Sequence, residues 1–138
     1  MSTKVTRINQ IAIERPKEVF TSIYHLINSE LLMECFKELD GNKAVGIDNV
    51  TKEEYKENLE ENINNIVNKL KTKAYRPSPA RTVSIPKANG KTRKLAIANF
   101  EDKIVQMAIK KLVEAIFEPK FTDNMFGFRP NRSCHDCL

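Results

Sequence analysis

Arg81-Thr-Val-Ser-Ile-Pro-Lys-Ala-Asn-Gly-Lys-Thr-Arg-Lys-Leu-Ala-Ile97 is the stretch on which the reading of this chain turns. Val83 and Ile85 alternate with Thr82 and Ser84, the two-residue period of a half-buried strand. Asn89-Gly90 supplies residues that tolerate φ > 0, as a tight turn requires, and Lys91 to Ile97 offers the returning strand. The stretch therefore predicts a β-hairpin over residues 81 to 97. Two strands alone are marginal, so helices must support it. Its cations, Arg81, Lys87, Lys91, Arg93 and Lys94, are held by paired strands at short, repeatable spacing, as phosphate oxygens require. Lys87 and Arg93 flank the turn, and a lysine point charge beside an arginine fork suits a triphosphate.

Charge is concentrated around the same segment. From Lys69 to Lys94 there are nine basic residues and no acid, while the other fourteen Lys and Arg face eighteen Asp and Glu, so the net +5 hides a locally cationic surface. A merely solvated face would carry interspersed carboxylates. A one-signed stretch points instead to nucleic acid.

Working outward, Tyr75-Arg76-Pro77-Ser78-Pro79 excludes helix. Upstream of it, Thr51 and Glu54 form a capping box, and Tyr55, Leu59, Ile63, Ile66, Val67 and Leu70 mark one stripe of a single long helix. Glu53, Glu57, Glu60 and Glu61 lie on its solvated face. Pro16 followed by Val19, Phe20, Ile23, Tyr24 and Ile27 predicts a helix, interrupted at Asn28-Ser29. A second then runs through Leu32, Phe36 and Leu39 to Asp40-Gly41. Asp40 to Asp48, with Lys43 inside it, reads as an irregular loop able to present backbone amides. Beyond the hairpin, Asn99 caps a helix burying Val105, Ile109, Leu112, Val113 and Ile116, limited by Glu118-Pro119. Phe121 to Leu138, containing Arg129 and Arg132, lacks periodicity and reads as a positioned loop. The class is α+β, mainly helical with a β-hairpin.

The remaining features bound function by exclusion. At 138 residues and 41% hydrophobic, length argues for one compact domain. No apolar run reaches the roughly 18 to 20 residues of a membrane span, and the start Met1-Ser-Thr-Lys-Val-Thr-Arg lacks a signal-peptide centre, so a cytoplasmic protein without a membrane partner is expected. Cys35, Cys134 and Cys137 predict thiols rather than a disulfide framework. Cys134-His-Asp-Cys137 has the spacing of half a zinc site but lacks further ligands, so no metal site is expected. There is no phosphate-binding P-loop, no HExxH and no Ser-His-Asp set, and His25 and His135 stand alone. No catalytic residue is assigned.

Three ordered motifs, Ile85-Pro-Lys-Ala-Asn-Gly-Lys-Thr-Arg-Lys-Leu95, Glu101-Asp-Lys-Ile-Val-Gln106 and Phe126-Gly-Phe-Arg-Pro-Asn-Arg-Ser-Cys-His-Asp136, closely resemble group II intron reverse transcriptase/maturases. Lys43-Ala-Val-Gly-Ile-Asp-Asn-Val-Thr51 and Tyr75-Arg-Pro-Ser-Pro79 fit as well, so the likeness extends from about Arg7 onward. One departure is Lys94-Leu-Ala-Ile-Ala-Asn99, which lacks a glycine and a proline usual in that family.

The resemblance implies the fingers part of a right-hand polymerase. Residues 1–50 would be an N-terminal extension with a template-facing loop, 51–120 the fingers, and 121–138 the truncated start of the fingers/palm junction. Lys87 and Arg93 would bind the deoxynucleotide triphosphate, and the loop from Asp40 to Asp48 would close over the RNA template. Arg76 and Arg81 would face template phosphates, with Lys43, Lys91, Lys94, Arg129 and Arg132 completing the nucleic-acid-binding set. The function implied is RNA-directed DNA polymerase. The alternative is a noncatalytic module that binds intron RNA for splicing, and a homodimer is left open. Mg²⁺ is expected only in the parent protein, on aspartates beyond Leu138, because two-metal phosphoryl transfer needs converging carboxylates that the basic hairpin does not offer. The parent should polymerise and this chain alone should not.

Overall fold

The computed structural model describes residues 3–137, so Met1, Ser2 and Leu138, which begin and end the segments read from the sequence, lie outside the described residues. Five helices and one hairpin follow in the order α1 (Thr3–Glu14), α2 (Ser29–Glu38), α3 (Lys52–Glu57), α4 (Leu59–Lys71), β1 (Arg81–Pro86), β2 (Thr92–Ile97) and α5 (Phe100–Phe117). Short 3-10 turns occupy Tyr24–Leu26, Glu118–Lys120 and Cys134–Cys137. Mixed helix with a two-stranded antiparallel sheet is the α+β class expected.

The single domain expected from length is instead two compact units, 1–26 with 109–138, and 27–108. The continuous helix α5 contributes its first half to one and its second half to the other. In the first unit, Val5, Ile8 and Ala12 of α1 and Leu112, Ala115 and Ile116 of α5 are buried. Asn9 Nδ2 donates to the Ala115 carbonyl at 3.0 Å.

Helix α1 carries its apolar residues at helical spacing, a signal the sequence reading passed over. The helix expected from Pro16 does not form, and only the 3-10 turn Tyr24–Leu26 occupies that stretch. A proline beyond the first turn removes a donor and clashes with the preceding turn, so Pro16 ends α1 rather than starting a new helix. Ser22 then adopts φ 56, in the left-handed region. Val19 and Tyr24 of the supposed apolar stripe are 76% and 50% exposed.

The second unit holds the hairpin. Helix α2 begins where Asn28 caps it, its side chain accepting from the Leu31 N–H at 2.9 Å. Thr51 and Glu54 form the expected capping box at α3. The single helix read beyond it is broken at Asn58 (φ −119, ψ 37), which separates α3 from α4. The stripe nevertheless survives, since Tyr55, Ile63, Ile66 and Leu70 are all buried. Phe36, Tyr55 and Phe100 pack as an aromatic trio with centroids 5.4 to 6.2 Å apart, joining α2, α3 and the start of α5. Edge and tilted geometries of this kind add stabilisation beyond area burial. In α5, Ile104, Val105 and Ala108 are buried, but Ile109 and Val113, expected inside, are 46% and 45% exposed.

Candidate nucleic-acid interface

The hairpin's direction is set at its foot. Asp102, in the first turn of α5, is buried, and its carboxylate accepts both the Tyr75 hydroxyl and the Ser78 N–H, the latter at 2.9 Å. A buried carboxylate without such donors would be costly, so the linker 75–79 is held where its prolines lead into β1. Burial, reinforced by Asp102, pushes the Tyr75 phenol well above its ordinary range. Tyr55 is pushed up likewise, first by burial and then by Glu101, to which its hydroxyl donates at 3.2 Å.

The loop before α3 is tied to the same foot. Arg81 Nε donates to the Val45 carbonyl at 3.1 Å, Lys103 Nζ to the Ala44 carbonyl at 2.6 Å, and the Ile47 N–H to Asn99 Oδ1 at 3.0 Å. Gly46 fits because a Cβ there would lie 2.2 Å from Asn99 Oδ1 and 2.6 Å from its Cα. The Asn99 oxygen thus braces the loop, a role its reading as a helix cap did not foresee.

The strands pair Arg81 with Ile97, Val83 with Leu95 and Ile85 with Arg93 on one face, and Thr82 with Ala96, Ser84 with Lys94 and Pro86 with Thr92 on the other. The Lys87 N–H to Lys91 carbonyl bond at 2.6 Å extends the ladder one step, so alternation puts Lys87 and Lys91 on the face of Arg81 and Arg93. Lys94 projects from the opposite face. The turn differs from the two-residue form in that Gly90 (φ 76) alone takes the left-handed conformation. The Gly90 N–H donates to the Lys87 carbonyl at 3.0 Å, giving a three-residue loop closed by a glycine bulge.

The cations named from the sequence divide into two groups. Lys87, Lys91, Arg93 and Lys94 are exposed, and among the described residues their side chains have no ion pair or hydrogen bond. The others are engaged within the chain. Arg81 is half-buried with Nε on Val45, and Arg76 donates to the Lys73 and Tyr75 carbonyls at 3.1 and 2.8 Å. Lys43 lies 3.8 Å from Asp40. In the other unit, the Arg129 side chain is 8% exposed, pairs with Glu118 at 2.9 Å and donates to the Thr122 and Met125 carbonyls. Arg132 pairs with Asp123 at 3.0 Å and lies over the Phe126 ring.

Among the described residues no three or more His, Cys, Asp or Glu gather to hold a metal, so these side chains do not fit a two-magnesium centre. No helix there is long and apolar enough to cross a membrane.

No family model matches the chain. It is, however, 37% identical over 134 residues to the group II intron-encoded protein LtrA of Lactococcus lactis subsp. cremoris, an alignment covering 96% of this chain and 22% of LtrA. It is also 39% identical over 98 residues to the protein YkfC of Escherichia coli, covering 71% of this chain and 26% of YkfC. An uncharacterized 91 kDa protein in the cob intron of Schizosaccharomyces pombe is 42% identical over 76 residues, covering 55% of this chain and 9% of that protein. The hairpin-bearing α+β chain is therefore of the group II intron-encoded class, and it belongs among the reverse transcriptase/maturase-related proteins of that family. The chain spans about a fifth of the length of the L. lactis relative.

Proposed function

We propose that this chain is the template- and nucleotide-gripping fingers part of an RNA-directed DNA polymerase. The observation that carries the reading is that Lys87, Lys91 and Arg93 stand exposed and without partners on one face of the hairpin, on a foot braced to the loop 44–47. Charges with no internal partner are available to phosphate. An arginine fork across the hairpin from Ile85, with Lys87 beside it, suits a deoxynucleotide triphosphate, and the loop tied to the hairpin foot would meet RNA template. The magnesium such chemistry requires would be held by carboxylates of the longer parent protein, where the transfer itself would take place.

The test is Lys87→Ala with Arg93→Ala in a polymerase-length protein carrying this segment. Under this reading nucleotide addition falls by at least a hundredfold while RNA affinity falls less than tenfold. Equal loss of both would favour a noncatalytic intron-RNA anchor serving splicing.

A further inference from the structure

Between the loop and the start of α5, within the hairpin-bearing unit, lies a cleft of about 610 Å³ whose walls include Asp48, Asn62, Ser78, Asn99 and Glu101. Asn99 is the informative side chain. It is only 6% exposed. The Ile47 N–H directed at it can be accepted only by the amide oxygen, which fixes the orientation of the amide and turns Nδ2 away from Ile47. Among the described residues Nδ2 donates to nothing, and no fully enclosed side-chain nitrogen or oxygen is unpaired, so Nδ2 is not fully enclosed, and Asn99 lines the cleft.

Acceptors stand on the same walls. Asn62 uses Nδ2 on the Tyr55 carbonyl at 3.2 Å, leaving Oδ1 available, and Asp48 uses Oδ1 on the Val50 N–H, leaving its second oxygen. No Lys or Arg lines the cleft, whereas Asp48, Glu54 and Glu101 do. A phosphate is therefore disfavoured, and a group that both accepts and donates hydrogen bonds matches the lining.

We propose that this cleft holds one unpaired nucleobase of the RNA whose phosphates the hairpin grips, the base accepting from Asn99 Nδ2 and donating to Asp48 or Asn62. The idea rests on the nucleic-acid reading above and adds the part that touches the base. Unstacked bases read along their edges are the usual route to recognition of single-stranded RNA, while backbone contacts only position it. Because Asn99 Oδ1 also braces the loop through Ile47, a base seated on Nδ2 would be registered directly against that loop.

The test is ¹H–¹⁵N NMR of the 138-residue chain with four probes: adenosine, cytidine, ribose 5-phosphate and a short unstructured RNA. The nucleosides and the RNA are expected to shift the Asn99 side-chain amide and the Ser78 backbone amide, with ribose 5-phosphate leaving both in place. Asn99→Asp keeps an oxygen for Ile47 but removes the donor, and should weaken nucleoside binding about fivefold with an otherwise unchanged spectrum, the scale of one net hydrogen bond. Asn62→Ala gives an independent check should the first variant fold poorly, with the same direction expected. If RNA shifts the Lys87 to Arg93 amides while the cleft stays silent, the inference is wrong and the phosphate grip stands. If RNA moves neither, both are wrong. If ribose 5-phosphate moves the cleft as strongly as a nucleoside, the base assignment is overturned.

Discussion

The Nε–H of Arg81, the first residue of the hairpin, donates to the carbonyl of Val45 at 3.1 Å, thirty-six residues earlier in the chain. With Lys103 on Ala44 and Asn99 on Ile47, three of four consecutive loop residues are fastened to the hairpin foot or to the start of α5. The loop is thereby tied to the foot of the hairpin at three points.

The two faces of the hairpin should separate in binding. Arg93→Ala, on the face shared with Lys87 and Lys91, is expected to weaken RNA binding about threefold at low salt, and Lys94→Ala, on the opposite face, to leave it nearly unchanged. With three partnerless cations on one face, log affinity should fall against log salt with a slope near about −2 for single-stranded RNA. Fluorescence anisotropy across a salt series measures both, and equal effects of the two substitutions would refute the facial assignment.

Gly46→Ala should destabilise the hairpin-bearing unit. The added Cβ meets the Asn99 backbone as well as its side chain, and backbone cannot swing aside. Overpacking of this kind costs about 1–3 kcal/mol. Urea denaturation should show a lower midpoint with an unchanged slope.

Alkaline pH should unfold the protein through its buried phenols. Tyr75 and Tyr55 both have folded pKa values raised above the ordinary 10.0, chiefly by burial. The stability they contribute is complete below pH 10 and is lost as pH climbs from there towards the folded values. Absorbance at 295 nm should show delayed ionisation that coincides with unfolding. Tyr75→Phe removes part of that pH dependence, at a cost of about 1.5–3 kcal/mol at neutral pH for the lost hydrogen bond to the buried Asp102 carboxylate.

Arg129→Ala should behave as a structural lesion. Its guanidinium is enclosed and satisfies Glu118 and two backbone carbonyls. Removing it leaves these acceptors unpaired, at about 2–3 kcal/mol. Thermal unfolding should report the loss, with RNA affinity of the folded fraction changed less than twofold.

The hairpin was legible because strand alternation and an Asn-Gly turn are local signals, and the α2 and α3 caps likewise depend on neighbours within three residues. Misreadings fell where a pattern required a partner surface. Val19, Phe20, Ile23 and Tyr24 have helical spacing yet form no α-helix, since Pro16 closes α1 and Val19 and Tyr24 stay largely exposed. Ile109 and Val113 have the spacing of a buried face but stay exposed. Asn99 was legible as a polar residue at a helix start, but its bond to Ile47 spans fifty-two residues and has no sequence signature.

By itself the sequence determined the elements with short-range causes, the concentration of positive charge around one hairpin, and the motifs that mark the family. Only the tertiary structure decided which cations remain available: Arg129, written beside Arg132 in a basic-looking loop, is consumed by Glu118, while Lys87 and Arg93 meet no counter-charge. The reason is that charge is a property of a residue, whereas its neutralisation depends on which distant carboxylates and carbonyls folding brings within hydrogen-bond reach.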